Sequence, residues 1–269
     1  GTIDVQTAGR IAGPGLFTLA GDANLDVAAG VTLEIGRDPT TGGGVLLTDS
    51  ASVNLGTNSD VLLQQDRAGA QPVLTWSGTS SITGAGLFDA DAFEVALGAG
   101  QLTLDGAEFL NTGLLTIPDG TELEARGGAT LENAGITRVE GGPLRLTDGQ
   151  LFLAGELQID GTAGGDARLI LGDGGTLFVP NGGHLASGSI EAGTGSNVTF
   201  STNGFDFRDG AVLTGAGAMT FAGPIEVSGA NEGLTIATNV GIDTPTLDGT
   251  GRMTVTGALD VAGTSAFGG

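Results

Sequence analysis

The feature that most constrains this chain is a 22-residue internal period between Gly84 and Gly149. At that offset Gly84-Ala85-Gly86-Leu87-Phe88-Asp89 falls over Gly106-Ala107-Glu108-Phe109-Leu110-Asn111 and over Gly128-Ala129-Thr130-Leu131-Glu132-Asn133. Val95, Ile117 and Val139 then form an apolar column, and Gly98, Gly120 and Gly142 a glycine column. The apolar segments of each unit are too short to bury a hydrophobic face alone, so the units must stack on their neighbours.

Within the period, runs such as Leu102-Thr103-Leu104, Leu115-Thr116-Ile117 and Leu157-Gln158-Ile159 alternate apolar and polar residues, as half-buried strands do. Their centres recur about every seven residues, which predicts three short strands per unit. Glycine, 52 of 269 residues, interrupts nearly every window long enough for a helix. Asp-Gly pairs, with Asn-Gly at Asn181 and Asn203, favour turns with positive φ. An antiparallel meander would use the same turns but has no need of a fixed 22-residue register. The expected fold is therefore all-β: a single parallel β-helix (β-solenoid) domain over residues 1–269, with about 22 residues per coil and roughly twelve coils. At ~4.8 Å per strand such a body would be on the order of 60 Å long.

A second pattern, Ile/Leu-x-Gly-x-Gly-x-Phe/Met, begins at Ile11, Ile82, Leu213 and Leu247 and implies that coil phase is kept over long distances. The 34 residues from Leu213 to Leu247 break the rule and predict either an insertion or two shortened coils. Loops leaving the coil are expected near 36–44, 66–72 and 233–245. The eleven phenylalanines are expected to fill the core.

Thirty-one carboxylates against nine arginines give a formal charge of −22, which repels nucleic acid and anionic membranes. No run approaches the ~20 apolar residues of a membrane-spanning helix. Cysteine is absent, which removes disulfides and thiolate chemistry. The chain starts at Gly1 without methionine and is expected to be a mature segment cut from a longer precursor.

Carboxylates are the natural candidates for catalysis, but the columns of the repeat do not stack them. Asp105 lies over Gly127 and Gly149, and Asp89 over Asn111 and Asn133. The column Asp89, Asn111, Asn133 reads as a structural polar ladder, because stacked amides hydrogen-bond along a β axis. Asp89-Ala90-Asp91 and Asp206-Phe207-Arg208-Asp209 are the dense acidic clusters, and neither has the paired spacing across a cleft that glycoside hydrolysis requires. Calcium is chemically compatible with so many carboxylates, but Gly164-Gly165-Asp166 and Gly172-Asp173-Gly174-Gly175 lack the spacing of a calcium-binding nonapeptide. No cofactor or specific metal site is expected. His184 reads as a solvated turn residue and Trp76 as core or flank packing. Gly13-Pro14-Gly15 is followed by no helix and no lysine, which excludes a phosphate loop.

Gly249-Thr250-Gly251-Arg252-Met253-Thr254-Val255-Thr256-Gly257-Ala258-Leu259-Asp260-Val261-Ala262-Gly263 resembles one strand-turn-strand unit of the β-helical passenger regions of bacterial autotransporters and filamentous-haemagglutinin-like adhesins. The resemblance implies a right-handed coil, export to the extracellular space or cell surface, and a structural or adhesive role without catalytic residues. The expected partners are a second copy joined end to end, a larger surface protein, or host and matrix glycans. The alternative is a carbohydrate-active β-helix using Asp89, Asp91 or Asp206, or a glycan-binding module built on the loops at Asp38 and Asp66.

Overall fold

A computed structural model describes the whole chain except residues 14–15, 38–44, 65–72, 91–93, 162–166, 201–203, 209, 230–232, 243–245, 262–265 and 268–269. The described residues form a parallel β-solenoid of about 22 residues per turn, without helix. Each strand pairs with the strand one turn later, giving three parallel ladders. The first ladder starts Thr2–Val5, Asn24–Val27, Ser52–Leu55, Ser81–Gly84. The second starts Gly9–Gly13, Thr32–Arg37, Asp60–Gln64, Leu87–Ala90. The third starts Phe17–Leu19, Val45–Leu47, Val73–Gly78. The long strands Glu94–Asp105, Ala211–Phe221 and Leu234–Ile242 each bend from one ladder into the next.

Turn length is not uniform. Thr2 pairs with Asn24, 22 residues on, but the next two steps of that ladder, Asn24 to Ser52 and Ser52 to Ser81, take 28 and 29. The stack has about nine turns of about 22 residues, not the roughly twelve of an even division, which ignores these two longer steps. Of the loops expected at 36–44 and 66–72, residues 38–44 and 66–72 fall within these long turns but outside the described residues, whereas Gly36 and Arg37 belong to the strand Thr32–Arg37. The third expected loop is mostly ladder: Leu234–Ile242 is strand, and Leu213 pairs with Ile236, 23 residues on.

The four-fold motif marks a kind of corner, not a single phase. Ile82 and Leu213 share the first ladder, but Ile11 lies in the second and Leu247 in the third. That explains the irregular 34-residue interval between Leu213 and Leu247. What three of the copies share, at Gly84, Gly215 and Gly249, is a positive-φ glycine set close against the turn below. Gly84 has φ 110°, and a Cβ there would lie 1.9 Å from the carbonyl oxygen of Leu55. Gly215 repeats this with φ 117° and 2.0 Å to the oxygen of Ala192.

Inward positions of all three ladders stack into one continuous core, from Leu19 to Ile236. Two aromatic zones widen it. Phe109 stacks on Phe88 at 5.7 Å and on Trp76 at 5.9 Å, while Phe200, Phe205, Phe207 and Phe221 form a second cluster. Fully burying one such side chain contributes about 1.5–3 kcal/mol, so these zones anchor the stack. Phe152 and Phe178 correct the expectation that phenylalanine fills the core: both point outward and are 40% exposed.

Candidate functional surfaces

Of the three residues expected in the polar ladder, the structure joins two. Asn111 pairs with Asn133, both side chains are fully buried, and Asn111 Nδ2 donates to Asn133 Oδ1 at 3.0 Å. Asn133 Nδ2 donates onward to Thr137 Oγ1 at 2.8 Å, and Asn133 Oδ1 also accepts from the Gly135 N–H. Asp89 is not in this column. It pairs with Leu110, and Ala90 is the residue that meets Asn111. The step from Phe88 to Phe109 is 21 residues where the next, Phe109 to Leu131, is 22. A one-residue slip exchanges the inward and outward faces of a strand, so Asp89 points outward.

The same slip changes the reading of other acids. Asp105 pairs with Arg126, not Gly127, and their side chains form an ion pair at 2.9 Å. Arg145 reaches Glu122 at 3.0 Å, and Arg168 pairs with Glu191. At corners, carboxylates cap backbone donors of an adjacent turn. The Gly21 N–H donates to Asp49, the Gly127 N–H to Asp148 and the Thr194 N–H to Asp173. Asp49 and Asp148 themselves sit at φ 60° and 53°, a region aspartate tolerates better than most residues.

Acid does lie over acid beyond the most regular block. Asp4 pairs with Asp26, and Asp206 with Glu226. Each step is locally compensated: Asp26 accepts from Asn54 Nδ2, and Asp206 accepts from Ser228 Oγ and Arg208 Nε, both at 2.7 Å. His184 is a strand residue in Gly183–Ala186, not a solvated turn residue, and its Nε2 lies 2.7 Å from Asp160 Oδ1. Trp76 is core, 1% exposed, with its Nε1 making no hydrogen bond. Asp89 and Asp206 belong to different ladders, the second and the third. Asp38, Asp66, Asp91 and Asp209 lie outside the described residues. Among the described residues no three His, Asp or Glu side chains are grouped to hold a metal ion.

Shallow grooves run along the corners. One of about 410 Å³ passes Asn58, Asp60, Gly86, Gly106, Glu108 and Thr130. Its two carboxylates are separated by Leu87, which pairs with both Asp60 and Glu108, so they stand two rungs apart, about 10 Å along the axis. Among the described residues, no arginine lines this groove and no acid lines the groove beside Arg168.

The outward positions of the second ladder hold a feature that the repeat conceals. From Gln150 onward they are Gln150, Phe152, Thr176, Phe178, Asn197 and Thr199, continued by Ala218 and Thr220. None is charged. The signal was present in Gln150-Leu151-Phe152-Leu153 and Thr176-Leu177-Phe178-Val179, where the flanking aliphatic residues claim the inward positions. An unbroken apolar triplet hides that alternation.

No protein-family model, curated protein or solved structure matches the chain. Fold and surface together define a parallel β-solenoid, several of whose outward carboxylates pair with or cap groups of the coil itself.

Proposed function

We propose that this chain is a rod-like structural or adhesive segment of an extracellular bacterial fibre or surface adhesin. The observation that carries the reading is the continuity of the three ladders, from Thr2–Val5 in the first to Ala266–Phe267 in the third. A stack of this kind gains length one rung at a time without needing a new core. We read the coil as right-handed, as crossovers between parallel strands almost always are, with three short strands to the turn. Strand edges extend by pairing with further strands, so a second copy or further chain of the same protein lengthens the rod. The glycine-punctuated units that resemble adhesin passenger regions support placement at the cell surface.

Electron microscopy and small-angle scattering over a concentration series test this reading. The expected result is rods on the order of 50 Å that join end to end as concentration rises, and that retain coated beads on matrix surfaces. Single rods at every concentration, with no retention on such surfaces, would overturn it.

A further inference from the structure

We propose that the outward strip of the second ladder from Gln150 to Thr220 binds an uncharged polysaccharide, an inference that rests on the adhesive reading above. Its first support is charge. In a chain of net charge −22, the described outward positions on four successive strands, Gln150–Leu153, Thr176–Val179, Asn197–Phe200 and the second-ladder part of Ala211–Phe221, carry no ionisable group. The flanking ladders over the same turns are charged, with Arg145, Arg168 and Glu191 on the first and Asp160, Asp206 and Glu226 on the third. A polyanionic glycan would be repelled by the whole rod, and a cationic partner would be drawn to the acids elsewhere. A neutral ligand loses nothing by choosing the neutral strip.

The second support is the chemistry of the strip. Phe152 and Phe178 are direct partners in register, each 40% exposed; the other exposed large apolar side chains among the described residues, Ile3 and Leu16, lie apart from them in the first turn. Adjacent exposed aromatics are the informative departure from a polar surface. Their faces suit the C–H face of a pyranose ring, while Gln150, Thr176, Asn197 and Thr199 supply amides and hydroxyls for the ring's hydroxyl groups. Four rungs make a flat track on the order of 15–20 Å long, enough for several sugar units. A second copy on this strip would bring a further −22 charges alongside.

Affinity electrophoresis tests the proposal, in native gels containing hydroxyethylcellulose, galactomannan or soluble starch, with alginate as the anionic control. The expected result is retardation in at least one neutral gel and none in alginate. Phe152→Ala with Phe178→Ala should weaken it by about tenfold or more, as loss of aromatic stacking implies. Thr199→Glu, which keeps both rings but charges the strip, should weaken it too. Unchanged melting curves show that these surface variants fold. Absence of retardation in every neutral gel, retardation that survives both variants, or equal retardation in alginate would overturn the proposal. Loss of self-association in the double variant, without any glycan binding by the parent, would assign the strip to a second copy and overturn it as well. Rods that join end to end yet ignore every neutral gel would sink this inference and leave the structural reading standing.

Discussion

The second ladder carries two different surfaces on one backbone. Up to Glu132 its outward positions include Glu34, Asp60, Asp89, Glu108 and Glu132, whereas from Gln150 to Thr220 they hold no charge at all. The inward positions change little: Phe109 and Leu131 are succeeded by Leu151, Leu177 and Val198, all buried. Because successive residues of a strand face opposite sides, the core and the surface vary independently. The repeat dictates the rod; it does not dictate what the rod displays.

The sharpest break of that comparison is one truncation made on both sides of the sheet. Phe109→Ala removes a ring packed between Phe88 and Trp76 and should destabilise the chain by about 3–5 kcal/mol in denaturant unfolding. Phe178→Ala removes an exposed ring from the same ladder and should change stability by no more than about 0.5 kcal/mol. Equal losses would mean that Phe178 is packed and the neutral strip is not a display surface.

A glycine pair sharpens the contrast between corners that lead into the acidic and the neutral parts. At Gly84 an added Cβ meets the Leu55 carbonyl oxygen at 1.9 Å, at φ 110°; at Gly174, φ 78°, it meets nothing within 4 Å. Gly84→Ala should cost about 2–4 kcal/mol, strain and clash together, and Gly174→Ala about 1 kcal/mol from the left-handed conformation alone. Thermal melts of the two variants measure the difference, and a reversed order would show that corner packing does not set the turn.

These cases also show what was legible from sequence. The parallel solenoid and its period followed from Gly84 to Gly149, because glycine corners and alternating runs have few other solutions. Register to the residue did not follow. Corners absorb single residues without disturbing the strands, so the 21-residue step at Phe88 put Ala90, not Asp89, over Asn111. Glycine motifs likewise report that a corner exists, not which ladder it serves, as Leu213 and Leu247 illustrate. The outward facing of Phe152 and Phe178 is not legible from hydrophobicity, which predicts burial, because facing is set by the neighbours on either side.

The buried amides separate the two parts of the ladder from inside, since the positions after Asn133 in that column are Leu153 and then aliphatic or aromatic residues. Asn133→Ala should cost about 1–3 kcal/mol, because it strands the Asn111 Nδ2, the Thr137 hydroxyl and the Gly135 N–H. Asn111→Ala should cost less, as Asn111 Oδ1 already lacks a partner. Denaturant curves for both variants and the double variant give the coupling, and additive effects would show that the amides do not act as a ladder.

The smallest expected effect tests whether the acidic part owes its stability to its charges. Arg126 and Asp105 pair at 2.9 Å, but their side chains are 48% and 38% exposed, so water and salt screen most of the attraction. Arg126→Gln should therefore cost about 0.5 kcal/mol or less at physiological ionic strength. The difference from the parent chain should vanish in molar salt, where the Debye length falls to about 3 Å. A loss that persists in high salt would place the contribution of Arg126 in its packed stem rather than its charge. The inter-turn ion pairs would then count as part of the coil's packing, and the charged and neutral parts of the rod would differ in construction as well as in display.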